Sequence, residues 1–423
     1  MATGGSYIDS DSDDELPAGW EERTDKDGFV YYANHTKQST QWTHPRTGKI
    51  KQVTGKLPYG WTQKVDDEGR IIYVDHISKR TTYTDPRLAF ATESDPKKGT
   101  FNQRFDAYST AMKVLESKDL TGKYVIITGA NSGIGFETAR SLAFHGANVT
   151  MACRNIAAAM ESIMKIKKER PEAKVDFINC NLASLRSVGE FARRYKCRKW
   201  PLHILICNAA VFGIPWVETE DGIETTFQVC HLGHFHLVKL LTDLLISSAP
   251  SRVIMVSSES HRFIDWRSVH ANELDLKSVC MSRLEYWPIL AYGRAKLCNI
   301  LFANEYNRRY KDKGVTCNSL HPGNLMYTNI QKNSWLWRIL WAFARPFTKS
   351  LQQGAATSVF CAVSSEIEGS GGLYFNHCCM CEASKEANNK DKAVALWELS
   401  EKMINDRQDK WTAYYRKQDL DKK

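Results

Sequence analysis

The sequence predicts an α/β chain: a doubly wound parallel-sheet domain preceded by two small three-stranded antiparallel β-sheet domains. Three observations predict it. The first 90 residues are self-similar at a spacing of 41; from about residue 121 strand and helix patterns alternate for nearly 300 residues; and a glycine turn joins the first of those strands to a helix. The length of 423 residues agrees with a multi-part chain, at roughly 150 residues per domain.

Composition sets the outer limits. Hydrophobic residues make up 43% and charged residues 25%, which is ordinary globular usage and excludes wholesale disorder. The +9 formal charge comes from 57 basic and 48 acidic residues spread without a long basic run, so a solvated surface is expected and no nucleic-acid partner. The first 15 residues, with Asp9, Asp11, Asp13, Asp14 and Glu15, read as an acidic disordered tail, too acidic for a transit peptide and lacking a signal peptide's apolar core. Trp335 to Phe347 is apolar but short and broken by Arg338 and Arg345, so no transmembrane span is expected. Twelve scattered cysteines suit packed, reduced thiols in the cytoplasm or nucleus, and Cys378, Cys379 and Cys381 lack the second cluster that a zinc site needs, so no metal is expected.

The two repeats occupy residues 16–49 and 57–90. Leu16, Pro17, Gly19 and Trp20 fall on Leu57, Pro58, Gly60 and Trp61; Tyr32, His35 and Pro45-Arg46 fall on Tyr73, His76 and Pro86-Arg87. Each unit alternates like a meander, with turns at Asp27-Gly28 and around 34–37. So small a sheet has little core, and the first Trp of each unit closes a cluster with the flanking prolines. On the other face of the first unit stand Tyr31 and Trp42, parallel aromatic walls of the kind on which a polyproline helix docks.

The Leu-Pro-x-Gly-Trp-Glu opening, Tyr31-Tyr32, Asn34-His35, and Trp20 and Trp42 at a separation of 22 identify both units as resembling the WW domain. The resemblance implies that Tyr31 and Trp42 form the proline groove, and that Ala33, His35 and Gln38 line the tyrosine pocket for Pro-Pro-x-Tyr proteins, commonly signalling and transcription factors. The second unit departs from the pattern: Tyr83 replaces the groove Trp and Asp75 the Asn, which implies a smaller stacking surface and altered turn chemistry. Arg46, Lys49 and Lys51 between the units read as a solvated linker rather than an import signal. Residues 91–120 read as a linker, rich in Asp, Ser, Pro, Lys and Gly from Thr92 to Thr100.

The second domain is expected over residues 121–415. The apolar strand Tyr124 to Ile127 runs into Thr128, Gly129, Ala130, Asn131, Ser132, Gly133, Ile134 and Gly135, then into an amphipathic helix. Glycines there let backbone N–H groups approach a pyrophosphate, and the helix N-terminus stabilises its charge. The strand of residues 148–153 ends without an acidic residue for the ribose, and Arg154 follows; a guanidinium suits a 2′-phosphate, so NADP(H) is preferred to NAD(H). Tyr292 lies one helical turn before Lys296, whose charge favours a phenolate and whose ammonium can hold the ribose.

The spacing T-G-x-x-x-G-x-G, with Asn208-Ala209-Ala210, Val256-Ser257-Ser258, Tyr292-Gly293-Arg294-Ala295-Lys296 and His321-Pro322-Gly323 following in order, resembles the short-chain dehydrogenase/reductase family, a Rossmann-type fold. The resemblance implies catalysis by Tyr292 as acid/base, Ser258 on the substrate oxygen and Lys296, with cofactor held by residues 128–135, Arg154, Asn208, Tyr292 and Lys296. Asn181 stands where the family usually has an Asp near the adenine, and Cys230 where it has a catalytic Asn; a thiol is expected not to supply an amide's two-sided hydrogen bonding, although the backbone carbonyl there could hold a relay water. His231, His234 and His236 read as packing residues, not a metal cluster. The apolar segment Asn333 to Phe347 falls at the family's substrate lid, which implies a small hydrophobic substrate such as a steroid or retinoid; membrane-surface contact is the rival reading. Two functions follow: an NADP(H)-dependent oxidoreductase steered by its first WW unit, or an adaptor whose dehydrogenase domain binds cofactor and turns over little.

Overall fold

The computed structural model describes residues 16–24, 30–36, 39–47, 49–53, 57–65, 71–88, 92–94, 105–106, 108–263, 276, 279–323 and 350–420. The chain divides into two compact units, residues 1–102 and 103–423. The acidic tail, Gln38 and the apolar segment 333–347 lie outside the described residues.

In the first unit, β1 (Trp20–Thr24), β2 (Val30–Asn34) and β3 (Ser39–Gln41) form one antiparallel sheet. After β4 (Ile50–Gln52), the strands β5 (Trp61–Val65), β6 (Ile71–Asp75) and β7 (Arg80–Thr82) form the second. The stretches expected as linkers also pair: β4 runs antiparallel to β8 (Thr92–Ser94). Residues 92–94 are therefore sheet, because Thr92 to Ser94 finds a partner strand some 40 residues upstream, which a local compositional reading cannot see.

The small sheets share their core. Val30, Tyr32 and Val53 are buried together, with Leu16, Trp20 and Leu88 of the second repeat packed on them. A buried polar chain crosses between the repeats as well. Thr24 Oγ1 donates to Asp85 Oδ2 at 3.1 Å, Tyr73 Oη donates to the same oxygen at 2.8 Å, and Arg87 pairs with Asp85 at 2.7 Å. Burial pushes the Asp85 carboxyl up, but the Arg87 guanidinium and N–H and the Tyr73 hydroxyl outweigh it and hold the group below its ordinary value. Asp85→Ala leaves Arg87, Tyr73 and Thr24 without their shared acceptor, a loss of about 1–3 kcal/mol. Hydrogen exchange on the intact chain should then speed up in both β2 and β6; acceleration in β6 alone would contradict a shared core.

In the second unit, α1 (Ala111–Leu115) precedes the sheet. Here too the linker reading is corrected: Phe105, Ala111, Val114, Leu115 and Leu120 are buried, so residues 105–120 belong to this unit. The sheet then builds from β9 (Tyr124–Thr128), α2 (Gly133–Phe144), β10 (Asn148–Cys153), α3 (Ile156–Glu169), β11 (Val175–Asn179), α4 (Leu185–Cys197) and β12 (Ile204–Cys207). It continues with α5 (Thr225–Phe227), a π-turn over Gln228–Leu232, α6 (Gly233–Ser247), β13 (Ser251–Val256), α7 (Pro288–Tyr310) and β14 (Val315–His321). The elements α8 (Leu351–Val363), β15 (Tyr374–Asn376), β16 (Cys379–Cys381) and α9 (Lys390–Leu420) complete it.

Strand order is β11-β10-β9-β12-β13-β14-β15-β16, every pair parallel except β15 with β16. The central strands are unbroken apolar runs because helices cover both faces: α1, α2 and α8 pack as one group, α4 with α6 and α7 with α9 as another. The run Thr225–Ser247 is long and apolar enough to cross a bilayer by length and composition, but its apolar 18-residue window is 72% buried within the fold, as in a core helix. The order of strand addition reverses between β9 and β12, so a crevice opens at their carboxyl ends, the position at which ligands bind in open α/β sheets.

Candidate active site and peptide groove

At that crevice β9 ends on Thr128, a buried residue. Its Oγ1 accepts the N–H groups of Asn208 at 2.9 Å and Ala209 at 3.0 Å. Cys230 O can only accept, so the His234 Nδ1 that faces it at 3.2 Å carries the ring proton, and Nε2 is left to accept from the Thr128 hydroxyl at 2.8 Å, with Ile206 O more distant from that hydroxyl at 3.5 Å. Asn208 Nδ2 returns to Thr128 O at 2.9 Å. The loop after β12 is therefore clamped to the glycine turn.

Gly129 takes φ +64° and lies against Ala209, where an added Cβ would sit 3.0 Å from that residue's Cα. A Cβ on Gly135 would collide with Gly129 O and Asn208 Nδ2. Ser132 caps α2 without a side-chain hydrogen bond, so the first-turn N–H groups receive no acceptor from the cap. A backbone cradle kept narrow by glycine, at a helix N-terminus without a side-chain cap, fits a dinucleotide pyrophosphate. Arg154 is exposed immediately after β10, and its carbonyl accepts from Asn179 Nδ2 at 3.0 Å. The Asn181 side chain caps the Ala183 N–H at 3.2 Å.

Ser258, Tyr292 and Lys296 come together from β13 and α7. The Ser258 hydroxyl donates to Ser260 Oγ at 3.1 Å and accepts the Ser260 N–H at 3.2 Å, and it stands close enough to the Tyr292 phenol to act on its pKa. Burial first, and the nearby Cys230 second, push the Tyr292 phenol up, with the Ser258 hydrogen bond opposing them. Lys296, only 1% exposed, has Nζ 5.4 Å from the centre of the Tyr292 ring and donates to Val256 O at 2.7 Å; burial pushes its pKa down. Phe212 stands edge-on to Tyr292, ring centres 5.0 Å apart. The arrangement presents a hydroxyl pair and a cation to one spot, beneath an aromatic wall. It can donate a proton and a hydrogen bond to a carbonyl oxygen.

In the first unit the Tyr31 and Trp42 rings lie 5.6 Å apart at 61°, and Trp42 is 38% exposed. Ala33 is half-buried beside them, and exposed His35 bonds Glu21 Oε2 through Nε2 at 2.7 Å. The Arg23 hydrogen bond and then His35 hold the Glu21 carboxyl below its ordinary value against burial. In the second repeat Asp75 Oδ1 accepts the Ile77 N–H at 2.9 Å, as Asn34 Oδ1 accepts that of Thr36 at 2.9 Å. The expected change in turn chemistry is thus corrected: the turn needs only an acceptor oxygen two residues back, which either side chain offers.

Residues 123–264 match the short chain dehydrogenase family, and residues 16–45 and 57–86 each match the WW domain. Over 399 residues the chain is 59% identical to the WW domain-containing oxidoreductase of Homo sapiens, covering 94% of this chain and 96% of that one. The chain belongs to the WW domain-containing oxidoreductase family. Retinol dehydrogenase 12 of Mus musculus is 40% identical over 281 residues, 66% of this chain and 86% of that protein. Among solved structures, an uncharacterized protein from Mycobacterium Paratuberculosis has a TM-score of 0.53 at 28% identity, over 69% of this chain and 97% of that one.

Against this WW domain-containing oxidoreductase background, the departure at Cys230 changes less than its chemistry suggests. The Cys230 thiol donates to Val211 O and accepts from Val211 N, each at 3.5 Å. That corrects the expectation that a thiol cannot serve both sides: sulfur is a weak donor and a weak acceptor, and the π-turn brings it within reach of both backbone groups. His234, which the sequence presents as packing, proves to be the acceptor on which the Thr128 clamp depends. Its only sequence signal is a position four residues after Cys230.

Burial pushes His231, His234 and His236 down, to about 4, about 3 and about 4 respectively. Each is neutral in the fold, while the unfolded chain takes up protons near 6.5. Their contribution to stability is therefore complete above about pH 6.5 and falls as pH drops toward about 4, by at most about 1.4 kcal/mol per pH unit per ring. Thermal melting should decline across this window, and His236→Gln should flatten the slope; an unchanged slope would contradict neutral burial. Nitrogen NMR should show the His234 ring as the Nδ1–H tautomer from about pH 8 to about pH 5, and a midpoint near 6.5 would contradict the clamp.

Proposed function

We propose that the dehydrogenase unit is an NADP(H)-dependent reductase of a hydrophobic carbonyl compound, running also in the alcohol-oxidising direction, and that the first WW repeat recruits Pro-Pro-x-Tyr proteins to it. The observation that carries the catalytic reading is the Lys296 cation 5.4 Å from the centre of the Tyr292 ring, with Ser258 beside the phenol. A bound nicotinamide dinucleotide supplies or takes the hydride. The glycine turn and the first turn of α2 would hold its pyrophosphate, Asn208 would border its path, and Lys296 would turn from Val256 O to its ribose.

Ser258 donates to the substrate oxygen and orients it. Burial keeps Tyr292 as the neutral phenol, the form that can give a proton to that oxygen as negative charge develops on it. Lys296 then stabilises the phenolate left behind, and the same phenolate takes the proton back in the oxidising direction. The Phe212 wall over Tyr292 favours an apolar, conjugated substrate, and the similarity to a protein named for retinol supports a retinoid-like compound. Arg154 beyond β10 favours the phosphorylated cofactor. All twelve cysteines are free thiols, which suits the cytoplasm or nucleus. The alternative reading, an adaptor whose dehydrogenase unit binds cofactor and turns over little, draws its support from Cys230, whose thiol contacts Val211 N and O at 3.5 Å.

Tyr292→Phe should lower turnover by about 10²–10⁴-fold while cofactor still binds; unchanged turnover would sink the role. Arg154→Asp should weaken NADPH against NADH by about tenfold, one charge-assisted contact; an unaltered preference would refute the cofactor assignment. Trp42→Ala should weaken a Pro-Pro-x-Tyr peptide by about 2 kcal/mol or more, measured by titration, and retained affinity would refute the groove.

A further inference from the structure

The sheet ends on β11, two strands beyond β9 and the cofactor crevice. Along that edge lies a cavity of about 400 Å³, lined by Ile156 of α3, Phe177 of β11, and Arg193, Arg194 and Arg198 at the end of α4. Ile156 begins an apolar stripe. Met160 and Met164 follow at intervals of four on the same side of α3, and the three side chains are 56%, 49% and 63% exposed. The helix has a separate buried face, Ala159, Ser162, Ile163 and Ile166, so the stripe is not needed to hold α3 on the sheet. It runs about 12 Å along the helix and is mostly methionine, a side chain that reshapes to fit what covers it.

Charge on this face is unbalanced in one direction. The carboxylates of α3 and α4 are committed, Glu161 to Lys165, Glu169 to Arg140 and Glu190 to Arg186, and Asp176 on β11 is committed to Arg198. Lys167, Lys168, Arg193 and Arg194 are exposed and have no ion pair among the described residues. The strand edge itself is closed to an added strand. Lys174 O and Cys180 N–H bond to β10, so the backbone groups that face outward belong to the odd-numbered residues between them. Of these, the Phe177 N–H is taken by Asp176 Oδ1 at 2.7 Å, and the other oxygen of that carboxylate holds Arg198. A partner therefore docks here through side chains and not through the ladder.

We propose that this edge is a docking surface for an acidic amphipathic helix of a partner protein, its apolar side on Ile156, Met160, Met164 and Phe177 and its carboxylates on Arg193 and Arg194. A helix with Leu or Phe anchors three and four residues apart meets a stripe of the same period, and its own backbone is already satisfied internally, so it needs nothing from the closed strand edge. Carboxylates beside those anchors meet guanidinium groups that can take both oxygens at once. A basic helix of the same apolar pattern is excluded by repulsion from the same cations. The surface uses none of the residues of the proline groove, so its occupant carries no proline motif and is a different class of partner from the one the first WW repeat takes.

The probe is a fluorescein-labelled synthetic peptide of about 15 residues, leucines at helical spacing on one side and glutamates on the other, titrated into the full-length chain. The same peptide with lysine for every glutamate is the control. The expected result is saturable binding of the acidic peptide alone, weakened about tenfold or more as salt rises from about 0.05 M to about 0.5 M. Arg193→Glu with Arg194→Glu, and separately Met160→Glu with Met164→Glu, should each weaken it about tenfold or more. Cys197, the one exposed thiol of the twelve, lines the same cavity and reads the wild-type chain directly: bound peptide should slow its alkylation by N-ethylmaleimide, mapped by mass spectrometry. Absence of saturable binding, equal binding of the lysine peptide, unchanged affinity in either double variant, or unaltered Cys197 alkylation at saturating peptide would overturn the proposal. So would binding to phosphatidylserine vesicles that both double variants abolish while the acidic peptide fails to bind, since anionic lipid would then be the occupant.

Discussion

A single buried hydroxyl organises the cofactor half of this protein. Thr128 Oγ1 has two acceptor positions and one hydrogen, and all three are committed: two to the N–H groups of the loop after β12 and one to His234 on α6. Strand β9, the loop bearing Asn208, and the helix carrying His234 cannot move independently while those bonds hold. In a low-dielectric interior an orphaned member of such a chain is costly, so the network specifies one arrangement rather than merely adding stability. The narrow glycine turn, the Cys230–Val211 contacts and the Phe212 wall over Tyr292 all hang from that loop.

The first unit meets the opposite difficulty, too little core for its length. Three-stranded sheets of this size bury few side chains each, and the solution is shared packing: Leu88 on the cluster of Val30 and Tyr32, a ribbon of β4 with β8, and one carboxylate, Asp85, serving hydroxyls from both repeats. That leaves Tyr31 and Trp42 available on the face away from Tyr32, since alternate residues of β2 point to opposite sides. The second repeat keeps the turn and the core contacts while its groove position carries Tyr83.

Features written locally were legible in the sequence. The T-G-x-x-x-G-x-G turn needs glycine where φ is positive or a Cβ would strike Asn208, and the Tyr292 to Lys296 spacing is one helical turn, so residue types and intervals announce them. Contacts between distant residues were not. His234 meets Thr128 across 106 positions, β4 meets β8 across some 40, and α1 finds α8 across more than 200; no window of sequence contains both partners. Cys230 misled for a different reason: its residue type implied lost hydrogen bonding, whereas the π-turn that restores both contacts is a backbone feature with no residue signature of its own.

The central claim is that this chain holds a complete reductase site despite Cys230. The most direct measurement is NADPH consumption by the purified full-length protein over retinoid, steroid and short-chain carbonyl compounds, with Cys230→Asn run beside it. The account predicts turnover of an apolar carbonyl by the native sequence and no gain from Cys230→Asn. Cofactor binding without turnover, restored only by Cys230→Asn, would contradict it and would make recruitment through the WW repeats the chief activity of the chain.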